Sequence, residues 1–122
     1  TEVPQVLVFQ NIYLKFETNK TYVVLKQILE EAKDKPALLI KYSEEGIALF
    51  PAQPFVYLIN GSALNTKSAY KKALAILHSG FDFVIEDAME KAFYKEMVIA
   101  YKGLGNKVEE KRYMEKFKKL EN

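Results

Sequence analysis

The chain has 122 residues, 49% of them apolar, with 18 basic and 16 acidic side chains. That is enough apolar material for one compact domain or a short array of repeated units, which excludes a disordered chain. A formal charge of +2 lacks the basic excess of a dedicated nucleic-acid binder. The absence of cysteine removes disulfides, thiolate metal sites and cysteine nucleophiles from consideration.

Five glycines and four prolines punctuate the sequence, and between them apolar residues recur at helical spacing, so the chain reads as all-α. Pro4 suits a first helical turn, where its missing N–H would be unpaired in any case; Val6, Phe9, Tyr13 and Phe16 then form one stripe of a helix over 4–16. Thr18 or Asn19 can cap a second helix over 20–34, with Tyr22, Leu25, Ile28, Leu29 and Ala32 inward. Asp34 and Pro36 break it, and a third helix over 36–50 carries Leu39, Tyr42, Ile47 and Leu49 before Pro51 stops it.

Pro54 opens a fourth helix over 54–67, with Tyr57, Leu58, Gly61, Ala63 and Leu64 inside it. Ser68 caps a fifth over 69–82, with Tyr70, Ala73, Leu74 and Leu77 inward. Asp87 and Glu90 form a capping pair for a sixth over 88–103, carrying Phe93, Met97, Ala100, Tyr101 and Leu104. The stretch "GLGN" ends it, and Val108, Met114, Phe117 and Leu120 mark a final amphipathic helix. Linkers this short make successive helices antiparallel neighbours.

The chain also resembles itself at an offset. A shift of 34 brings Leu39 onto Ala73, Gly46 onto Gly80, Leu49 onto Phe83 and "GIALF" onto "GFDFV". A shift of 37 then brings Tyr57 onto Tyr94, Ala63 onto Ala100 and Leu77 onto Met114, as though three residues were inserted around Ile85 to Ala88. A period near 34 in helical pairs marks one helix–turn–helix architecture.

On these residues the chain resembles the tetratricopeptide repeat (TPR) family over roughly 20 to 120. Tyr57, Gly61 and Leu64 match the aromatic, glycine and large apolar positions of a first repeat helix; Tyr70, Ala73 and Leu77 match those of a second; Pro51 matches the closing proline of the preceding repeat. Tyr94, Met97, Ala100, Tyr101 and Gly105 fit the next repeat, whereas Glu110 and Phe117 depart from its small-residue positions. The segment "LFPAQPFVYLINGSAL" is similar to a version found in bacterial multi-repeat proteins of this kind. The resemblance implies about seven antiparallel helices stacked into a short right-handed superhelical solenoid. One array would span 1–122, with an extra or capping helix at 4–16 and repeats at 20–51, 54–87 and 88–122.

No catalytic set assembles. Ser62 lacks the flanking glycines of a nucleophile elbow, and His78, the one histidine, falls on a face that the repeat pattern leaves exposed. Asp82, Glu86, Asp87 and Glu90 read as a helix end and a cap rather than a cation site. "GLGN" lacks the lysine and hydroxyl of a phosphate loop, and the glycosylation tripeptide Asn60-Gly61-Ser62 falls inside a packed helix. The six basic residues from Lys107 to Lys119 alternate with acids and read as a solvated face. The expectation is a non-enzyme with no cofactor and no metal.

What remains is a surface. TPR domains use the concave face of their first helices to hold a peptide or a partner's helix. That carry-over selects Val23, Gln27 and Glu30 in the first repeat, Phe55, Leu58, Ile59, Ser62, Asn65 and Thr66 in the second, and Lys95, Ile99 and Lys102, together with Glu96, in the third. The family's clamp for chaperone carboxylates needs lysine, asparagine and arginine where this chain has Val23, Gln27, Ile59, Ala92 and Glu96, so that clamp is absent. The expected function is a scaffold binding a protein or peptide, with stacking on neighbouring repeats or on another copy as the alternative.

No apolar run approaches the roughly 20 residues needed to cross a bilayer, and no signal peptide is visible. Because the first residue is Thr1 rather than Met, the chain is expected to be a piece of something longer. Its compartment, cytoplasm or bacterial cell envelope and periplasm, stays open.

Overall fold

The computed structural model describes the backbone of residues 5–121 and the side chains of 12–121. Seven helices and no strands occur among them: α1 (Gln5–Thr18), α2 (Tyr22–Glu31), α3 (Pro36–Leu49), α4 (Pro54–Thr66), α5 (Tyr70–Phe81), α6 (Asp87–Gly103) and α7 (Lys107–Lys119). Pro4, and the Val6 and Phe9 side chains of the expected first stripe, lie outside the described residues. No helix among the described residues is long and apolar enough to cross a membrane.

Contacting residue numbers run in opposite directions along α3–α4, α4–α5 and α5–α6, which makes these neighbours antiparallel. Gly61 faces Leu77 while Gly80 faces Tyr57 across α4 and α5. Ser43 meets Asn60 while Gly46 meets Val56 across α3 and α4. Phe81 packs on Phe93 while His78 reaches Tyr101 across α5 and α6. Helix α4 is the hub, packing on α3, α5 and α6.

The glycines matter here as close approaches. A Cβ on Gly80 would overlap the Tyr57 side chain, and one on Gly61 would overlap Leu77. On Gly46 it would lie 2.7 Å from both Leu25 and Val56. Large side chains fill the space beside these crossings: Phe16, Leu25, Ile28, Leu29, Val56, Leu77, Phe93 and Met97 are all within 2% of complete burial. Burial of each such side chain contributes about 1.5–3 kcal/mol.

Helix ends depart most from expectation. Thr21 caps α2, its Oγ1 accepting from the Val24 amide at 3.3 Å, because Asn19 and Thr18 lie a turn too early. Ser68 does not cap α5. It sits at φ +60° as the terminating residue of α4, with Ala69 N–H bonding to Leu64 O and Ser68 N–H to Asn65 O. That is the Schellman pattern. Gly105 at φ +73° ends α6 with the same pair of bonds, Asn106 to Tyr101 and Gly105 to Lys102. A left-handed residue has no extended backbone left to cap the next helix.

The Asp87–Glu90 capping pair does not form either. Asp87 is already the first helical residue, the Glu86 side chain makes no cap bond, and the Glu90 carboxylate accepts from the Tyr94 hydroxyl instead. Leu49, Leu104 and Val108, expected inward, are exposed. The first two stand at the C-terminal ends of their helices, and α7 has no fully buried residue at all.

Two substitutions test these points by urea denaturation. Ser68→Gly removes a left-handed strain of roughly 1–2 kcal/mol and restores some backbone entropy to the unfolded chain, for a net gain of about 0.5–1 kcal/mol. Gly80→Ala forces a methyl into Tyr57 and lowers stability by about 2 kcal/mol. A neutral Gly80→Ala would show that α4 and α5 do not cross this closely.

Candidate functional site

A cleft of 480 Å³ opens beside the first turns of α2, α4 and α6. The α3–α4 turn contributes Ala52 and Gln53, and the segment between α5 and α6 contributes Phe83, Ile85 and Glu86. Tyr22, Phe55, Phe83, Ile85 and Met89 give it apolar surface, interleaved with polar surface in about equal measure. One positive and one negative side chain, Lys26 and Glu86, also line it.

Local packing holds these walls. Tyr57 stacks on Phe83 with 5.9 Å between ring centroids and donates its hydroxyl to Pro51 O at 2.7 Å, so one side chain fixes both connecting segments. Tyr22 stands edge-on to Phe50, and burial raises its phenol above the ordinary value, keeping it neutral. Lys26 Nζ stands 5.6 Å over the Phe55 ring, tying α2 to α4. Phe83 and Ile85 project to solvent at the rim, Ile85 at 93% exposure.

Of the groove residues expected from sequence, Phe55 lines this cleft. Gln27 and Glu30 line a different one, of 340 Å³, with Ile12 and Glu31. Lys95 and Ile99 line a third, of 280 Å³, with Val98, Met114 and Phe117. Val23, Thr66 and Lys102 are exposed, and Leu58 and Ile59 are half-buried against the core. Ser62 is half-buried, its carbonyl accepting from Thr66 Oγ1. Asn65 is only 6% exposed; its amide donates to Glu96 O and Oε1 at 2.9 and 3.0 Å, bridging α4 to α6, while its Oδ1 has no partner. The expected set is thus dispersed over separate concavities and one interhelical bridge.

Tyr22, Lys26, Phe83, Ile85, Glu86 and Met89 were not among the expected site residues. A signal for some of them exists in the sequence: the three-residue insertion around Ile85 to Ala88 supplies Ile85, and it lengthens the segment that forms one wall. Asn60 of the glycosylation tripeptide is 1% exposed and donates to Ser43 Oγ at 2.9 Å. Among the described residues no three His, Asp or Glu side chains gather closely enough to hold a metal ion.

A smaller concavity of 100 Å³ lies where α5, α6 and α7 meet, beside Tyr94 and Tyr113. Burial, the bond to Glu90 and the charge of that carboxylate push the Tyr94 phenol up to about 12 from 10.0. The folded chain therefore keeps a proton that the unfolded chain loses between those values. Its stabilising contribution is complete below about pH 10 and is lost as pH rises toward 12. Denaturation at pH 9, 10 and 11 should show a steeper decline for the parent than for Tyr94→Phe; identical slopes would contradict the assignment.

No protein-family model, no curated protein and no solved structure matches the chain.

Proposed function

We propose that the chain is a non-catalytic TPR scaffold, a short superhelical array that holds a peptide or partner protein against α2, α4 and α6. The observation that carries this reading is the 480 Å³ cleft shared by the first turns of those three helices. Its mixed apolar and polar walls, and exposed Phe83 and Ile85 at its rim, are what a binding surface offers. The antiparallel hairpins, the glycine crossings and the equivalent Schellman turns at Ser68 and Gly105, 37 residues apart, support the repeat reading. His78 engages the Tyr101 hydroxyl at 3.1 Å, and Ser62 stands on another helix, which favours recognition over chemistry.

A partner would enter as an extended or helical segment whose apolar side chains fill the space between Tyr22, Phe55 and Met89. Lys26 and Glu86 would orient its charges. Selection from a displayed peptide library tests this. The parent chain should enrich a motif with apolar anchors, Ile85→Glu and Phe55→Ala should each weaken the selected peptide about tenfold, and Lys111→Glu on α7 should leave it unchanged. Binding indifferent to both cleft changes would overturn the proposal.

A second reading is favoured by the groove between α6 and α7, whose lining of Val98, Ile99, Met114 and Phe117 is covered by no further helix among the described residues. There the chain would stack on a neighbouring repeat or on another copy. Light scattering separates the two: a concentration-dependent dimer lost with Ile99→Glu supports stacking, and a monomer at every concentration counts against self-association.

A further inference from the structure

The small concavity at the junction of α5, α6 and α7 has a chemistry that packing does not explain. Its floor is aromatic: Tyr94 stacks on Phe81 with ring centroids 5.4 Å apart and tilts against Tyr113 at 5.9 Å. Three basic groups surround that floor. Lys116 Nζ stands 6.0 Å from the Tyr94 ring, Arg112 Cζ stands 5.3 Å from the Tyr113 ring, and the His78 imidazole is edge-on to Tyr113 at 6.1 Å. No carboxylate lines the space.

Each cation gains about 0.5–1 kcal/mol from standing over a ring at an exposed site. That accounts for each cation singly, but bringing the Arg112 and Lys116 charges to one pocket adds repulsion that ring contacts do not remove. Glu109 offsets part of it, accepting from Arg112 Nη1 at 2.8 Å and leaving the rest of the guanidinium fork available. Lys116 has no carboxylate within 4.0 Å among the described residues. The Tyr94 phenol is already engaged with Glu90 and the His78 ring with Tyr101, so the concavity presents ring surfaces below and the cationic donors of Arg112 and Lys116 at its mouth.

We propose that this pocket binds a small aryl oxyanion, a single aromatic ring carrying a phosphate or carboxylate. The ring would lie against Phe81, Tyr94 and Tyr113, and the oxyanion would take charge-assisted hydrogen bonds from Arg112 and Lys116. At 100 Å³ the pocket is smaller than the ~150 Å³ cavity that encloses benzene, so it seats part of one ring and leaves the oxyanion at its open mouth, beside Arg112 and Lys116. The site lies on α5, α6 and α7 and shares no lining residue with the partner cleft.

The test is titration of the ¹⁵N-labelled chain with phenyl phosphate at constant ionic strength, followed by NMR. Saturable shifts at Arg112, Tyr113 and His78 are expected, with inorganic phosphate at least tenfold weaker. Arg112→Gln and Lys116→Gln should each weaken binding at least fivefold with the rest of the spectrum unchanged. Lys116→Arg should retain it, and Lys111→Gln on the same helix should have no effect. A phosphotyrosine peptide that binds more tightly than phenyl phosphate assigns the anion to a protein partner, and equal affinity assigns it to a free small molecule; both support the site. Shifts that do not saturate, inorganic phosphate binding as tightly as phenyl phosphate, or indifference to Lys116→Gln would overturn the proposal.

Discussion

The close crossing of α4 and α5 is the constraint on which the other features depend. With no Cβ on Gly80, the Tyr57 side chain lies directly against the α5 backbone. From there its ring reaches Phe83 and its hydroxyl reaches Pro51 O. One interhelical contact therefore positions the segment after α5 and the turn before α4, which are two walls of the cleft. A larger residue at 80 would move Tyr57, and both walls would move with it. Core packing and the shape of the surface are here the same question.

Polar contacts add a second kind of information. Asn60 ties α4 to α3 through Ser43, and Asn65 ties α4 to α6 through Glu96. Each bond contributes only about 0.5–1.5 kcal/mol net, but leaving its buried partner unsatisfied costs about 1–3 kcal/mol. Alternative rotations of α4 about its axis are therefore penalised more strongly than the native one is rewarded. Asn60 and Asn65 point to different neighbours, so together they fix that rotation where aliphatic contacts alone would tolerate some drift.

What could be read from sequence follows from how local the physics is. Pro36 and Pro54 open α3 and α4 as expected, because a missing N–H acts at its own position. Leu25, Ile28, Leu29 and the capping Ala32 of α2, and Ala73 and Leu77 of α5, are buried as spacing predicts, since a 3.6-residue period needs no knowledge of the partner. Val24, by contrast, is buried outside that expected stripe, and Tyr22, Tyr70 and Leu74 are only half-buried. Serine favours caps in general, but the end of α4 requires a left-handed residue first, and Ser68 occupies the place that glycine takes at 105. The groove set dispersed because a helix position names a face but not the angle between successive helices. The cleft's own residues come partly from connecting segments, whose paths depend on tertiary contacts such as Tyr57 with Phe83.

Helix α6 shows how one buried stripe can govern several surfaces. Phe93, Met97 and Ala100, spaced at i, i+4 and i+7, are all within 1% of complete burial and fix its rotation against the core. With that stripe inward, Met89 faces the large cleft, Tyr94 the aromatic pocket, and Lys95 and Ile99 the apolar groove beside α7. Turning the helix by one residue, roughly 100°, would exchange these faces and expose Phe93. The separate concavities are therefore not independent features of the surface. They are different sides of one helix, held in register by a buried stripe of which only Met97 reaches a concavity, the small aromatic pocket.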